Sequence, residues 1–315
     1  MNDKRLSIII PFYNVEQYIA QCLDSVYHQD IPEEEYEVIC VDDCSPDNSI
    51  SVVEEYARKH GNLVIVRNQL NRKLGGARNA GMEVAQGNYI WFVDSDDFVE
   101  NNCFQKLLTI AESEDLDILH FNYSWFPNDK INSWEIHRCE TDVMVGVDMF
   151  FDSRFVWFHD LVTAWRKLYK RNFLCENKIQ FAEHIMFEDN DYAIEVFANA
   201  KRVKHIPEKI YCYRDNPESI TRVKYTSNHI RYWLDLSHRL HLLKNKLILN
   251  DKDNRFMSLL NEFIKYTLAN ILKVYRTLDT KEKQCAYKVI RSKIGQSMKP
   301  YISTLNYYKI KLGII

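Results

Sequence analysis

Short runs of β-branched and aromatic residues alternate with stretches of helical spacing through the first 125 residues, which predicts an α/β fold with a mostly parallel sheet covered by helices. The runs are Leu6–Ile10, Glu37–Val41, Leu63–Arg67, Tyr89–Val93 and Asp117–Phe121. Between the first two, Tyr18, Ile19, Cys22, Leu23 and Val26 recur on one helix face, and Asn14 followed three residues later by Gln17 reads as a capping box. Ile50, Val53, Tyr56 and Ala57 predict a second helix, and Gly75 to Gln86 a third that opens on glycines.

Beyond residue 125 the pattern is less regular. Residues 126–226 hold aromatic-rich stretches, a predicted helix from about Asp189 to Asn199, and two predicted strands, Val203–Ile206 and Ile210–Arg214. From Ser227 the spacing turns helical, through Ile230, Leu234, Leu240, Leu243 and Leu247 and then Leu259, Leu260, Phe263, Ile264, Ile271 and Leu272. The expected organisation is therefore an α/β part, 1–226, made of halves 1–125 and 126–226, followed by a helical part, 227–315. Charge divides the same way: residues 227–315 carry 17 Lys+Arg against 6 Asp+Glu, whereas the other 226 residues carry 24 against 38. An acidic body suits a bound metal, and a basic end suits an anionic surface or substrate.

The five-residue apolar run before Pro11 is too short for a signal-peptide core or a membrane span, so the N-terminus is expected to stay in the cytoplasm. Eight cysteines are scattered without a CxxC spacing and read as reduced core residues, with a zinc site as the alternative.

In an open parallel sheet, ligands sit beyond the carboxyl ends of the strands. Those ends here are Pro11-Phe12-Tyr13-Asn14, Asp42-Asp43 and Asp94-Ser95-Asp96-Asp97, a polar, aromatic and strongly acidic set. No glycine cradle follows the first strand, and no Gly-x-x-x-x-Gly-Lys loop occurs anywhere. Clustered carboxylates alone would repel a diphosphate, so the acids imply a divalent cation as the bridge. Asp94 and Asp96 are two apart at the end of an extended run, which projects both side chains to one side while Ser95 points away. Hard oxygen ligands favour Mg²⁺ or Mn²⁺. A lone Asp-x-Asp is often only a solvated turn; here it ends an apolar strand downstream of a second strand that also ends in acids.

These residues resemble glycosyltransferase family 2, the inverting enzymes of the GT-A fold that build bacterial surface polysaccharides. The resemblance rests on Ser-Ile-Ile-Ile-Pro-Phe-Tyr-Asn (7–14), Val-Asp-Asp-Cys-Ser (41–45), Gly-Gly-Ala-Arg-Asn-Ala-Gly (75–81) and Phe-Val-Asp-Ser-Asp-Asp (92–97), with weaker echoes at 164–169, 187–189 and 213–214. It implies that Pro11 and Tyr13 line the nucleotide-base pocket beside Asn14, that Asp43 accepts a hydrogen bond from the base, and that Asp42 holds the ribose or braces its loop. It implies that Asp96, helped by Asp94 and flanked by Ser95, binds the metal. Cys44 stands where the family often has glycine. Arg78, with Lys73 nearby, either lies by the donor phosphates or pairs with an acid under the sheet. Gly75, Gly76 and Gly81 are expected to serve packing.

Inversion needs a base opposite the departing diphosphate. The family places it in a late Glu-Asp pair, which here is Glu188-Asp189, with Asp189 the choice and Glu188 the fallback; the alternative is that these acids only favour the start of the following helix. Trp165, Lys167, His184 and Arg214 are candidates for an acceptor pocket, since sugars pack on aromatic faces and anionic carriers suit cations. The expected reaction moves a hexose or N-acetylhexosamine from a nucleotide diphosphate, UDP first, to a glycan or a polyprenyl-diphosphate-linked acceptor. The basic helical end, closing with Tyr307-Tyr308-Lys309-Ile310-Lys311, suits peripheral contact with the inner face of a membrane, a helical cap or a homodimer contact; nucleic acid suits the acidic body poorly. Two other functions compete: a non-catalytic nucleotide-sugar-binding module of a glycan assembly complex, and a nucleotidyltransferase. The latter would want a glycine-rich basic loop after the first strand.

Overall fold

The first strand, β1 (Leu6–Phe12), is buried along all seven residues. A strand apolar on both faces belongs inside a covered sheet. It pairs in parallel with β2 (Tyr36–Asp42) and β4 (Tyr89–Phe92), and β2 pairs in parallel with β3 (Leu63–Arg67). Helices α1 (Ile19–Tyr27), α2 (Ser49–Lys59) and α3 (Lys73–Val84) connect these strands, and α1 buries Ile19, Cys22, Leu23 and Val26 as its spacing predicts. The structure is a computed structural model and describes residues 4–127, 139–152, 161–216, 224–249 and 254–293.

On its other side β4 pairs antiparallel with β7 (Lys167–Lys170), which pairs antiparallel with β6 (Ile118–Phe126). The eight-stranded sheet is completed by β8 (Val203–Arg214), parallel to β6, and by β5 (Phe98–Val99), giving the order β3-β2-β1-β4-β7-β6-β8-β5. The half built by residues 6–92 is parallel as expected, while β5 and β7 run against their neighbours. One strand, β8, stands where two were expected. Its register against β6 slips around Asn122, where the Asn122 side-chain amide donates to the Pro207 carbonyl at 2.9 Å. Proline has no N–H to offer the ladder, and at this interruption the Asn122 amide supplies a donor to its carbonyl.

The capping box is not formed. Tyr18 is the residue before α1 and makes no side-chain cap. Asn14 instead belongs to the loop leaving β1, with a left-handed backbone (φ 56°) and its N–H donated to Ser45 Oγ at 2.8 Å. Two glycines of α3 work as expected. A Cβ on Gly81 would lie 2.4 Å from Ile9 Cγ2, and one on Gly75 would lie 2.3 Å from the Ala182 carbonyl oxygen. Bare backbone at these positions lets α3 press onto β1 and onto the segment before a later helix.

Helices α4 (Phe104–Ser113), α5 (Gly146–Phe151), α6 (Arg171–Glu176) and α7 (Glu188–Asn199) complete the first of two compact units, residues 1–216. In the second, 217–315, the described residues form α8 (Ser227–Leu249), α9 (Asn254–Thr277) and α10 (Thr280–Lys293). Ile230, Leu234, Leu240, Leu243 and Leu247 of α8 are buried, as are Leu260, Phe263, Ile264 and Ile271 of α9. Residues 307–315, expected to meet a membrane or another surface, lie outside the described residues. No described helix is long and apolar enough to cross a membrane. All eight cysteines are free, but the expectation that they are core residues needs correction: Cys22, Cys40, Cys103 and Cys212 are buried, while Cys44, Cys139, Cys175 and Cys285 are exposed.

Candidate active site

The carboxyl ends of β1, β2 and β4 put the expected loops side by side. Pro11 is buried in β1 opposite Val41, and Tyr13 just beyond it is 50% exposed, as a ring open to a ligand has to be. Asp42 Oδ1 accepts the Ser45 N–H at 2.8 Å, which is the bracing alternative for this residue. Asp43 is buried, and its Oδ1 accepts both the Asn68 side-chain amide and the Arg72 N–H at 2.8 Å. That leaves Asp43 Oδ2 without a donor among the described residues. Lys73 is exposed at the start of α3, also left-handed (φ 63°).

Cys44 turns the chain with φ 64°, a conformation that is costly for any residue with a Cβ. Glycine suits this place for backbone reasons alone. Cys44→Gly is expected to raise stability by about 0.5–1 kcal/mol, after allowing for the greater freedom of glycine in the unfolded chain, and the midpoint of a urea titration measures it.

The third loop is an acidic turn closed by the Asp97 N–H on the Asp94 carbonyl at 3.0 Å. Strand β8 holds it. The Tyr211 hydroxyl donates to Asp97 Oδ2 at 2.7 Å and accepts the Asp94 N–H at 3.1 Å. The Arg214 N–H donates to Asp97 Oδ1 and its Nε to the Asp96 carbonyl, each at 2.7 Å, while Asn216 Nδ2 donates to Asp96 Oδ2 at 3.2 Å. Ser95 is buried within the turn. Burial pushes the Asp96 carboxyl above its ordinary range, helped by the charge of Asp94. Asp97 is pushed up much further, by burial and then by both neighbours. Sequence reasoning missed the roles of Asp97 and Tyr211, and no local pattern announces them.

Arg78 joins this turn to α7. Its guanidinium is 2% exposed and donates from Nη2 to Asp94 Oδ1 at 2.7 Å and from Nη1 to Glu188 Oε1 at 2.9 Å. It lies 5.2 Å from the centre of the Phe181 ring, and its buried Nε has no hydrogen-bond partner. Arg78 thus forms the ion pair with acids that is one of its two expected roles. Glu188 and Asp189 open α7 behind a left-handed Phe187 (φ 63°). Asp189 is half-buried and accepts the Asn190 side-chain amide on Oδ1 at 2.9 Å. Burial, and next the charge of Glu188, push its carboxyl up to about 7 against the opposing pull of Arg78 and Lys167. Glu188 is also raised, by burial, with Arg78 opposing.

The residues expected to shape an acceptor pocket are placed less uniformly. His184 is exposed on the loop before α7, with φ 58°. Trp165 is buried, 8% exposed, and stacks on Tyr211 with ring centres 4.4 Å apart. Lys167 needs correction: it is wholly buried in β7, where its ammonium donates to the Thr163 carbonyl, so it acts on Asp189 through its charge and not on an acceptor by contact. Arg214 braces the acidic turn, its guanidinium 5.2 Å from the ring centres of Tyr18 and Phe126.

Among the described residues no group of three or more His, Cys, Asp or Glu side chains is arranged to hold an ion. Two carboxylates are nevertheless enough for Mg²⁺ or Mn²⁺ when phosphate oxygens complete the shell. Asp94 and Asp96, two residues apart on this turn, are the carboxylates that could do so, and a cation would offset the burial, and then the charge of Asp94, that raise Asp96.

An uncharacterized glycosyltransferase of Bacillus subtilis, EpsJ, is 35% identical over 227 residues, 70% of this chain and 64% of that protein. The poly(ribitol-phosphate) beta-glucosyltransferase of Bacillus spizizenii is 32% identical over 211 residues, 66% of this chain and 32% of that protein. The chain thus spans less than two thirds of the length of either relative. Staphylococcus aureus TarS 1–349, solved in complex with UDP-GlcNAc, shares the fold with a TM-score of 0.70 at 20% identity, covering 98% of this chain and 91% of that one. The family model for glycosyl transferase family 2 matches residues 7–186, so the acidic loops and the helices that join them are those of a member of glycosyl transferase family 2.

Proposed function

We propose that the chain is a metal-assisted, inverting glycosyltransferase that moves a hexose or N-acetylhexosamine from a UDP-sugar to a hydroxyl of a glycan or lipid-linked oligosaccharide. One observation carries the reading: Arg78 pairs at once with Asp94 of the strand-end turn and with Glu188 of the Glu188-Asp189 pair, gathering the donor-side acids and the start of α7 around one guanidinium. UDP as the nucleotide is supported by the UDP-GlcNAc held by TarS, whose fold this chain shares. An anionic lipid-linked acceptor is supported by the basic excess of residues 227–315.

In the proposed reaction the acceptor oxygen forms a bond to the anomeric carbon on the face opposite the diphosphate. The bond from that carbon to the diphosphate breaks, and the diphosphate leaves with the electron pair. Asp189 takes the proton of the attacking hydroxyl, with Glu188 kept in its ion pair. Tyr13 stacks on the base and Asp43 Oδ2 accepts from it. Asp94 and Asp96 would hold a divalent cation, which when bound supplies charge neutralisation for the leaving diphosphate.

A base must be deprotonated to act, and burial raises the carboxyl of Asp189, so turnover is expected to fall as pH drops below about 7. A pH profile of kcat/KM from 5 to 9 checks this; a flat acid limb down to the ordinary carboxylate range, about 4, would remove Asp189 from the role. The reaction itself is tested by nucleotide release from UDP-, GDP- and dTDP-sugars with Mn²⁺, Mg²⁺ or EDTA. Cleavage of one donor only with metal, abolished by Asp96→Ala, is the expected result. Nucleotide binding without cleavage under every condition would favour a binding module instead.

A further inference from the structure

The segment that leads into α7 is held from one place. Asn79 of α3 brackets Phe181, accepting its N–H at 2.9 Å on Oδ1 and donating from Nδ2 to its carbonyl at 2.9 Å. The Phe181 ring in turn stacks on Tyr192 of α7, with centres 3.6 Å apart and planes 12° from parallel. Two residues on, Glu183 accepts both arms of Arg72, from Nε at 3.0 Å and Nη2 at 2.5 Å, and also Asn79 Nδ2 at 3.1 Å. The guanidinium fork holds the Glu183 carboxyl below its usual range. The backbone of Arg72 completes the connection: its N–H donates to Asp43 Oδ1 at 2.8 Å, and its carbonyl accepts the His184 N–H at 2.9 Å.

We infer that Glu183 is a positioning residue for Asp189, locking the 181–187 segment to Arg72 and so fixing the start of α7 relative to the Asp43 loop. The inference rests on the transferase reading above. Its physical basis is the planar, two-point geometry of the Arg72–Glu183 pair, which sets orientation as well as distance. Glu183 neither opens α7 nor belongs to the acidic turn, and the pair is half-exposed, with side chains 25% and 31% accessible, so its worth to overall stability is small. Placement of a base is far less tolerant, since a displacement of about 1 Å at a reacting group can cost ~100-fold in rate.

The test separates kcat from nucleotide binding in Glu183→Ala and the isosteric Glu183→Gln, which retains one acceptor oxygen for Arg72. UDP release from the UDP-sugar that the wild type cleaves, at saturating donor and with water as acceptor, is expected to fall roughly 10–100-fold in Glu183→Ala, with the Kd for UDP by calorimetry unchanged within about two-fold, and to recover most of that loss in Glu183→Gln. Wild-type kcat in both variants overturns the inference. So does a loss of UDP affinity matching the loss of kcat, which would place Glu183 in nucleotide binding. Should Glu183→Ala fail to fold, Glu183→Gln carries the test through its own kcat and Kd, a modest fall in the first alone being the expected result. A wild-type chain that cleaves no donor overturns the transferase reading and the inference together, and is recognised because the wild type itself is inactive.

Discussion

Asp189→Asn is expected to lower acceptor-dependent kcat by roughly 10²–10⁴-fold while leaving the Kd for UDP and the fold intact. The amide keeps the size of the carboxyl and its oxygen for the Asn190 side chain, and loses only the capacity to take a proton. Stability separates a chemical role from a structural one. The folded wild type holds the Asp189 proton up to about 7, whereas the unfolded chain releases it near the ordinary Asp value of about 3.9. Folded protein therefore binds more protons between these values. This contribution favours folding at low pH and is lost as pH rises through about 7. The Asp189→Asn variant does not suffer that loss, so relative to the wild type it should melt higher at pH 8 than at pH 5. A variant that keeps wild-type kcat, or that loses UDP binding as much as turnover, would end the assignment.

Arg78→Met should have the largest effect on the fold itself. Removing the guanidinium leaves Asp94 and Glu188 facing a site that was closed around a cation, with Arg78 only 2% exposed and Glu188 6% exposed. Breaking a buried ion pair by deleting one partner costs about 3–5 kcal/mol. For a unit of this size that is a fall in Tm on the order of 10 °C. Because burial already raises Glu188, acidification should protonate it readily, and the deficit measured at pH 7 should shrink at pH 5. Thermal melts of Arg78→Met and Arg78→Lys at both pH values check this. Arg78→Lys keeps the charge without the fork and should fall between; equal melting of all three proteins would mean that the bridge does little for stability.

The acids at the strand ends were legible in the sequence because a strand places its last residues by simple geometry. Asp42, Asp43, Asp94 and Asp96 fall where β2 and β4 stop, and no tertiary knowledge is needed to put them on one edge. The role proposed for Asp189 rests on resemblance, since a Glu-Asp pair before a helix also suits the helix dipole. The partners of Arg78 were not legible. Glu188 lies 110 residues away in the chain, and whether α7 or a phosphate meets Arg78 is decided by packing. The same holds for Arg214, whose contacts with Asp96 and Asp97 come from β8 arriving beside β5, a strand of two residues too short to show any period. Lys167 misled for a related reason: a cation read as a contact for an acceptor is interior because four residues of β7 fill the gap between β4 and β6.

Left-handed backbone at non-glycine residues recurs in the loops of the candidate site, at Asn14, Cys44, Lys73, His184 and Phe187, as it does at Asn102, Asp115 and Lys178 elsewhere. At such turns the chain direction is set by handedness, and the side chain is a passenger. A lineage drifting under selection for turnover can exchange these residues for glycine, asparagine or aspartate at little cost, but meets a barrier at valine, isoleucine or threonine. The outline of these loops is then inherited as a pattern of permitted torsions, while the side chains they carry are left to diverge.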